Sequence, residues 1–257
     1  MANNTASTLS NREVVQSDAL SIAAKHKRCG LGISMGVGKT RIAIQHLQMN
    51  FNQFIEVLVV VPKHSVTQSW IDELGKMGLE SLLQHITFTT YLSLKKKDPN
   101  DYSIVYLDEC HSLKYSHELF LGPYTGKILG LTGTPPRDKQ SEKGEMVQKY
   151  CPIKYQFDVD KAADSNILND YQIIVHELEL SKLPTLKKKN KNGGFWWTTE
   201  QKDYNYVNGR IADAQSQKQI QFARIMRMRA LMDYTSKESY VKSILKNIGT
   251  KCIVFAN

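Results

Sequence analysis

Three runs dominated by apolar residues occur along the chain, at Val57–Val61, Ile104–Leu107 and Lys127–Leu131. They are short, rich in β-branched side chains and without regular polar alternation. Runs of this kind are typical of strands buried on both faces of a parallel sheet. The pattern therefore predicts an α/β domain with a mostly parallel sheet flanked by helices.

A helical spacing follows the residue Lys39. Apolar residues recur there around polar ones, with Ile42, Ala43 and Leu47 on one side. Farther along, a single helical pattern extends from Asn208 to Tyr234, and its arginines give it a basic side. We interpret it as a core-packed helix, with a basic face toward another lobe as the alternative.

The segments around these helices show a weaker periodicity of apolar residues. Cys151–Leu168 is expected to form a loop and a short helix, and Tyr171–Leu180 the last strand of the domain, with Ile173–Val175 as its apolar centre. Thr235 and Glu238 match a capping box, which predicts a helix that runs to Ile248 and ends at Gly249.

A glycine-rich segment, Ile33–Thr40 (ISMGVGKT), ends where the helical spacing that follows Lys39 begins. Glycines at 36 and 38 let backbone N–H groups approach phosphate oxygens, Lys39 can reach β- and γ-phosphates, and the Thr40 hydroxyl can ligate Mg²⁺. The usual first glycine is replaced by Ile33, so the segment alone is equally compatible with a glycine-rich turn. The helical pattern that follows favours a phosphate-binding loop, which would include Gly36, Val37 and Gly38.

Two polar segments follow the second and third apolar runs. They are Asp108–His111 and Thr132–Pro135. Ligands of open α/β sheets gather outside the carboxyl ends of the strands, so both segments and the glycine-rich loop are predicted to meet at one nucleotide. Taken alone, the Asp-Glu pair could be a helix N-cap beside a solvated carboxylate, and the Thr-Gly-Thr-Pro segment a strand-ending turn.

Five segments, taken in order, resemble the superfamily-two helicases and translocases of the DExH type, and look most like the Swi/Snf-related ATPases. They are Ile33–Thr40, Val60–Ser65 with Trp70 and Glu73 after it, Thr89–Tyr91, Leu107–Lys114 and Leu131–Pro135. The resemblance implies an N-terminal RecA-like ATP-binding lobe over residues 1–180. It further implies a basic, aromatic and helical interlobe linker over 181–249, and the first strand of a truncated second RecA-like lobe over 250–257.

The resemblance implies ATP and Mg²⁺ as cofactors. Catalytic roles fall on Lys39, Asp108 and Glu109: Asp108 holds Mg²⁺ together with Thr40, and Glu109 positions or deprotonates the attacking water. Gln16 would read the adenine edge, although as a lone residue it is equally an ordinary polar side chain. The resemblance also assigns coupling between nucleotide and nucleic acid to His111, Thr132 and Thr134, and phosphodiester contacts to Lys63, Ser65 and Thr90.

The composition supports this interpretation. The 257 residues are 41% hydrophobic and carry a formal net charge of +9, which suits a polyanion-binding protein with nucleic acid, DNA in our expectation, as its partner. No apolar stretch reaches the length of a membrane span, and the four cysteines lie far apart, which argues against a zinc site. We expect a monomer without a membrane partner, located in the cytoplasm, in the nucleus of a eukaryote, or in the host cytoplasm if viral.

The lysine run Lys187–Lys191 leads through Asn192–Gly194 into Phe195–Trp197. The segment could be a hairpin tip whose aromatic rings pack under the loop. Alternatively, it could contact nucleic acid, with Trp196 among the rings that stack on bases. The sequence leaves both open.

The predicted function is that of a motor lobe that hydrolyses ATP to move along DNA when it is paired with a second lobe. That lobe would supply arginines to the transition state, so the chain by itself should hydrolyse ATP weakly. A second hypothesis is a non-catalytic nucleotide-binding module with a basic docking surface. A small-molecule kinase is disfavoured, because the Asp108–His111 and Thr132–Pro135 segments would then have no role.

Overall fold

The computed structural model describes residues 9–190 and 192–247. The chain divides into two compact units, residues 1–172 and residues 173–257. Each unit is described by itself.

A six-stranded sheet forms the centre of the first unit, and every pair of neighbouring strands in it is parallel. In the order β3-β2-β4-β5-β1-β6, its strands are β1 (Arg28–Ile33), β2 (Val57–Val61), β3 (Ile86–Thr90), β4 (Ile104–Asp108), β5 (Lys127–Thr132) and β6 (Ile153–Phe157). The predicted α/β class, the parallel sheet and the three apolar strands are confirmed.

Helices cover both faces of this sheet. They are α1 (Asn11–Lys25), α2 (Lys39–Asn50), α3 (Thr67–Lys76), α4 (Glu118–Leu121), α5 (Glu142–Tyr150) and α6 (Val159–Asp164). Along β2, Val57, Val59 and Val61 pack in the core with α1, α2 and α3, while Leu58 and Val60 pack in the core with α4 and α5. This burial on both faces explains why β2 shows no polar alternation.

The last strand of the first unit is β6, which pairs with β1, and not the predicted Tyr171–Leu180. Residues 171–180 have no regular secondary structure, and Ile173 and Val175 are 77% and 80% exposed. Strand β6 has partly exposed, alternating residues because it lies at the sheet edge, so it lacks the continuous apolar run that marked the central strands.

The second unit contains an antiparallel hairpin and three helices, namely β7 (Leu186–Lys189), β8 (Phe195–Thr198), α7 (Glu200–Ala212), α8 (Gln217–Met232) and α9 (Ser236–Asn247). A small apolar cluster joins hairpin and helices: Leu186, Val207, Ala230 and Tyr234. The prediction of one helix from Asn208 to Tyr234 was wrong. The chain breaks at 213–216, where the Ser216 side chain accepts a hydrogen bond from the backbone N–H of Gln219 and caps α8.

Thr235 does not act as the predicted capping side chain. Its hydroxyl donates to Glu200, whose other oxygen accepts from the backbone N–H of Ser181. This carboxylate is buried and ties the segment before α7 to the start of α9. The predicted helix end at Gly249 and the predicted strand of a second lobe over 250–257 lie outside the described residues. No helix in the described part of the chain has the length and apolarity required to cross a bilayer.

His46 on α2 allows the burial of the core between this helix and the sheet to be tested. The side chain is buried, its Nδ1 lies 2.9 Å from the Tyr106 hydroxyl, and burial lowers the pKa of His46 to about 4. Because the folded pKa lies below the unfolded value of about 6.5, the unfolded state takes up the proton first as the pH falls. When the pH is lowered from about 7 to about 5, the titration of His46 should therefore lower the free energy of unfolding by about 2 kcal/mol.

Urea unfolding of the wild type and of His46→Gln at both pH values measures this contribution. The glutamine variant does not titrate, so it should lose about 2 kcal/mol less than the wild type over the same interval. Equal losses in the two proteins would show that His46 is not buried in its neutral form.

Candidate nucleotide site at the carboxyl edge of the sheet

The loop between β1 and α2 has the shape of a phosphate-binding loop. Gly36 and Gly38 have φ angles of +83° and +109°, a left-handed conformation that side chains other than glycine rarely adopt. A Cβ atom at Gly38 would come within 2.5 Å of the Gln16 Nε2 atom. The loop leads directly into Lys39, the first residue of α2, where helix N–H groups have no intrahelical partner.

Gln16 lies against this loop. Its Nε2 donates a 2.7 Å hydrogen bond to the Val37 carbonyl, and the residue is buried. The structure thus brings Gln16 to the loop from α1. Its contact with adenine stays a prediction.

Glu109 occupies the centre of the site. It follows β4 directly and has φ = +52°, which is uncommon for a residue other than glycine and is often found at functional positions. Its Oε1 lies 3.8 Å from the Lys39 Nζ. The β1–α2 loop and the Asp108–His111 segment therefore meet, as the strand order predicts.

The second carboxylate oxygen of Glu109 faces the segment after β5. Its Oε2 accepts a long, 3.4 Å hydrogen bond from the Gly133 N–H and lies 3.3 Å from the His111 Nδ1. The same Nδ1 lies 2.8 Å from the Thr132 Oγ1 and 3.3 Å from the Thr134 Oγ1. The three predicted coupling residues thus form one polar network that includes Glu109.

Asp108, the last residue of β4, is only 7% exposed. The Trp70 indole N–H donates to its Oδ2 at 3.1 Å, and the Tyr91 hydroxyl donates to its backbone carbonyl at 2.9 Å. Burial raises the pKa of Asp108, and the nearby Glu109 carboxylate raises it further. A cation bound beside these two carboxylates would stabilise the charged form of Asp108 and thereby offset both effects.

The residues present fit a nucleotide with Mg²⁺. Among the described residues, the buried Ser34 Oγ in the loop has no hydrogen-bond partner, which leaves a polar atom for a ligand. Thr40 is partly exposed in the first turn of α2, and a threonine hydroxyl with a carboxylate is the ligand type that Mg²⁺ prefers.

The three predicted nucleic-acid residues lie at the ends of β2 and β3. Lys63 and Ser65 are exposed just after β2, whereas Thr90, which pairs with Val61, is buried. These two strands form one side of the sheet, and β4 and β5 separate β2 from β1. The lysine and serine therefore lie at the same carboxyl edge as the nucleotide site but are displaced sideways along it.

A family profile, "Type III restriction enzyme, res subunit", matches residues 6–137, which is more than half of the chain. The chain belongs to this family. The matched range runs from before α1 to just after β5 and contains the whole Lys39–Glu109–His111 arrangement. The predicted resemblance to superfamily-two helicases and translocases, represented by their N-terminal lobe, is confirmed.

Two relatives of this chain extend the comparison. The DNA 3'-5' translocase XPB2 of Sulfurisphaera tokodaii is 28% identical over 199 residues, or 69% of this chain and 44% of the translocase. The African swine fever virus protein QP509L, which its name assigns provisionally to the ATP-dependent RNA helicases, is 28% identical over 48% of this chain and 28% of its own length. The chain thus spans less than half the length of either relative.

Among solved structures, the Sulfolobus solfataricus SWI2/SNF2 ATPase core in complex with dsDNA is similar to this chain. The two are 15% identical, with a TM-score of 0.41 over 91% of this chain and 63% of that one.

Two contacts in this site were not predicted. Trp70 and Tyr91 belonged to the segments that carry the resemblance, but no role was assigned to either. Both hold Asp108, across sequence separations of 38 and 17 residues. A tryptophan in an amphipathic helix is normally interpreted as a core residue. Only the folded structure shows that its N–H reaches a carboxylate.

Proposed function

We propose that the chain is the ATP-binding motor lobe of a nucleic-acid-dependent ATPase, which works with a second RecA-like lobe. One observation carries this proposal. Glu109 faces the loop lysine Lys39 with one carboxylate oxygen and the His111 network with the other. A group placed in this way can take part in hydrolysis and report its progress to another part of the lobe.

Lys39 supplies positive charge at the β- and γ-phosphates, and Thr40 and Asp108 would hold Mg²⁺. The metal ion, when bound, neutralises charge that develops on the transferred phosphoryl group. Glu109 orients the attacking water and accepts its proton, a task that needs a carboxylate beside the phosphates. The Trp70 and Tyr91 hydrogen bonds fix Asp108, so the metal-holding carboxylate keeps one orientation.

Coupling follows from the shared contacts of Glu109. His111 contacts the glutamate and the hydroxyls of Thr132 and Thr134 at the same nitrogen, Nδ1. A change in the Glu109 orientation on hydrolysis requires these partners to rearrange. The segment after β5 is thereby linked to the state of the nucleotide.

Nucleic acid, with DNA favoured, is the proposed polymer. The net charge of +9 and the exposed Lys63 and Ser65 at the carboxyl edge support a track for a phosphodiester backbone. A second lobe is proposed because the chain spans 44% of the XPB2 translocase. An arginine contributed by such a lobe accelerates hydrolysis by about 10³- to 10⁵-fold in comparable systems.

Calorimetric titration with Mg-ATP, followed by an ATPase assay with and without DNA, tests the proposal. We expect saturable binding that disappears when EDTA removes the metal, together with slow hydrolysis. Binding without any detectable hydrolysis, even in the presence of DNA, would favour the non-catalytic module. Absence of nucleotide binding would reject both functions.

Lys63 gives a prediction for the polymer track. Removing its charge in Lys63→Ala should flatten the slope of log affinity against log salt by about 0.9 for duplex DNA, since one phosphate contact releases about that many counterions. Fluorescence anisotropy with a labelled duplex at several salt concentrations measures the slope.

Lys76→Ala is the matched control, because Lys76 is an exposed lysine of the same unit at the end of α3. It should leave the slope unchanged. Equal slopes for the wild type and Lys63→Ala would remove Lys63 from the track.

A further inference from the structure

The lysine and aromatic segment that the nucleotide site does not use forms the hairpin β7–β8. Its register places Lys187 opposite Trp197, Lys188 opposite Trp196 and Lys189 opposite Phe195. Residues directly opposite each other in an antiparallel pair point to the same face, and the face alternates along each strand. The hairpin therefore has two different faces.

The inner face turns toward the helices of the second unit. Leu186 is buried with Val207 and Ala230, and the Lys188 Nζ lies 2.9 Å from the Asp203 Oδ2 on α7. Lys188 thus has its charge compensated within the unit. Trp196 belongs to this face by register, opposite Lys188, and is 48% exposed.

The outer face carries Lys187, Lys189, Phe195 and Trp197. Phe195 and Trp197 are 60% and 62% exposed, and both lysines are exposed. This result contradicts the hypothesis that the aromatic rings pack under the loop. The four side chains hold two positive charges and no carboxylate, so the face is both aromatic and cationic.

The lysines of the outer face have defined positions. The Lys187 Nζ lies 4.5 Å and the Lys189 Nζ 5.9 Å from the centre of the Phe195 ring. Such cation–π contacts keep the two ammonium groups beside the ring. The two ammonium groups already lie beside the Phe195 ring, so Trp197 is the ring of this face assigned to a stacking ligand.

We infer that the outer face of the hairpin binds single-stranded nucleic acid, with a base stacked on Trp197 and phosphates contacted by Lys187 and Lys189. Exposed aromatic rings stack on every base, and neighbouring lysines follow the backbone, which gives binding that tolerates sequence changes. The choice of nucleic acid over other anionic partners rests on the proposed motor function. The choice of a single strand rests on Trp197, because bases inside a duplex are already stacked.

Anisotropy titrations of the chain with a labelled oligothymidylate test the inference. Trp197→Ala should weaken binding about 5- to 150-fold, the range that corresponds to loss of one base–aromatic stack. Trp196→Ala is the matched control, since it removes the same side chain from the inner face, and should change affinity much less. Circular dichroism of each variant verifies that the fold is retained.

The double variant Lys187→Gln/Lys189→Gln tests the same face without altering an aromatic ring. It should flatten the salt slope for the single strand by about 1.4, or about 0.7 for each lost contact. Unchanged affinity in Trp197→Ala together with an unchanged slope in the lysine variant would overturn the inference. An equal loss in Trp196→Ala and Trp197→Ala would also overturn it, because the two faces would then not differ.

Vesicles of phosphatidylserine and phosphatidylcholine provide the remaining comparison. If the variants weaken vesicle binding and leave oligothymidylate binding unchanged, the face binds membrane surfaces and the inference fails. The proposed motor function is tested separately, because absence of Mg-ATP binding would reject it whatever the result of the oligothymidylate titrations. The two failures are therefore distinguishable.

Discussion

Replacement of Glu109 by glutamine should leave Mg-ATP affinity almost unchanged and lower the hydrolysis rate by about 10²- to 10⁴-fold. Glutamine keeps the size of the side chain and most of its hydrogen bonds but cannot accept the proton of the attacking water. The chain without a second lobe is expected to be slow, so a single-turnover assay with protein in excess over radiolabelled ATP is the suitable measurement. Calorimetry reports the affinity in parallel.

Glu118→Gln makes the same chemical change at a carboxylate that pairs with Lys149, away from the described site residues. Its hydrolysis rate should equal that of the wild type. A Glu109→Gln protein that hydrolyses ATP at the wild-type rate would show that another group positions the water. A variant that lost ATP binding would instead indicate that the Glu109 contacts near Lys39 support the loop itself.

Replacement of Lys39 by alanine should weaken Mg-ATP binding on the order of 100-fold or more. Lys39 is 10% exposed, and its ammonium group is the cation that the β1–α2 loop offers to the phosphates. Truncation of one member of a buried, hydrogen-bonded charge pair typically costs about 2 to 5 kcal/mol. Calorimetric titration of the variant with Mg-ATP checks the expected loss.

Lys149→Ala is a suitable control, because this lysine is well exposed on α5 and pairs with Glu118. It should bind Mg-ATP as the wild type does. Thermal unfolding curves for both variants separate loss of binding from loss of structure. Equal Mg-ATP affinities of Lys39→Ala and the wild type would reject the assignment of Ile33–Thr40 as a phosphate-binding loop.

The sequence determined the centre of the fold and the order of the site segments. Strands β2, β4 and β5 were predictable because a strand buried on both faces has an apolar run through its centre, without polar alternation. The loop glycines at 36 and 38 were predictable for a local reason, since a phosphate-binding turn needs residues without a Cβ. Parallel strands then bring their carboxyl ends to one edge, which accounts for the meeting of Lys39 and Glu109.

Other features depended on contacts between residues far apart in the sequence, which no local pattern records. The edge strand β6 was recognisable only through its partner β1, and the apolar segment Ile173–Val175 has no regular secondary structure. The break between α7 and α8 leaves the spacing of apolar residues almost unchanged, so periodicity alone suggested one helix.

The same distinction between local pattern and tertiary contact applies to individual side chains. Sequence identified Asp108 as a carboxylate after a strand, but tertiary structure placed the Trp70 N–H and the Tyr91 hydroxyl on it. Sequence showed three consecutive lysines, and the pairing of β7 with β8 decided which of them face outward. The physical reason is common to these cases: residue type and spacing are local properties, whereas burial, side-chain partners and the face that a residue occupies are properties of the folded chain.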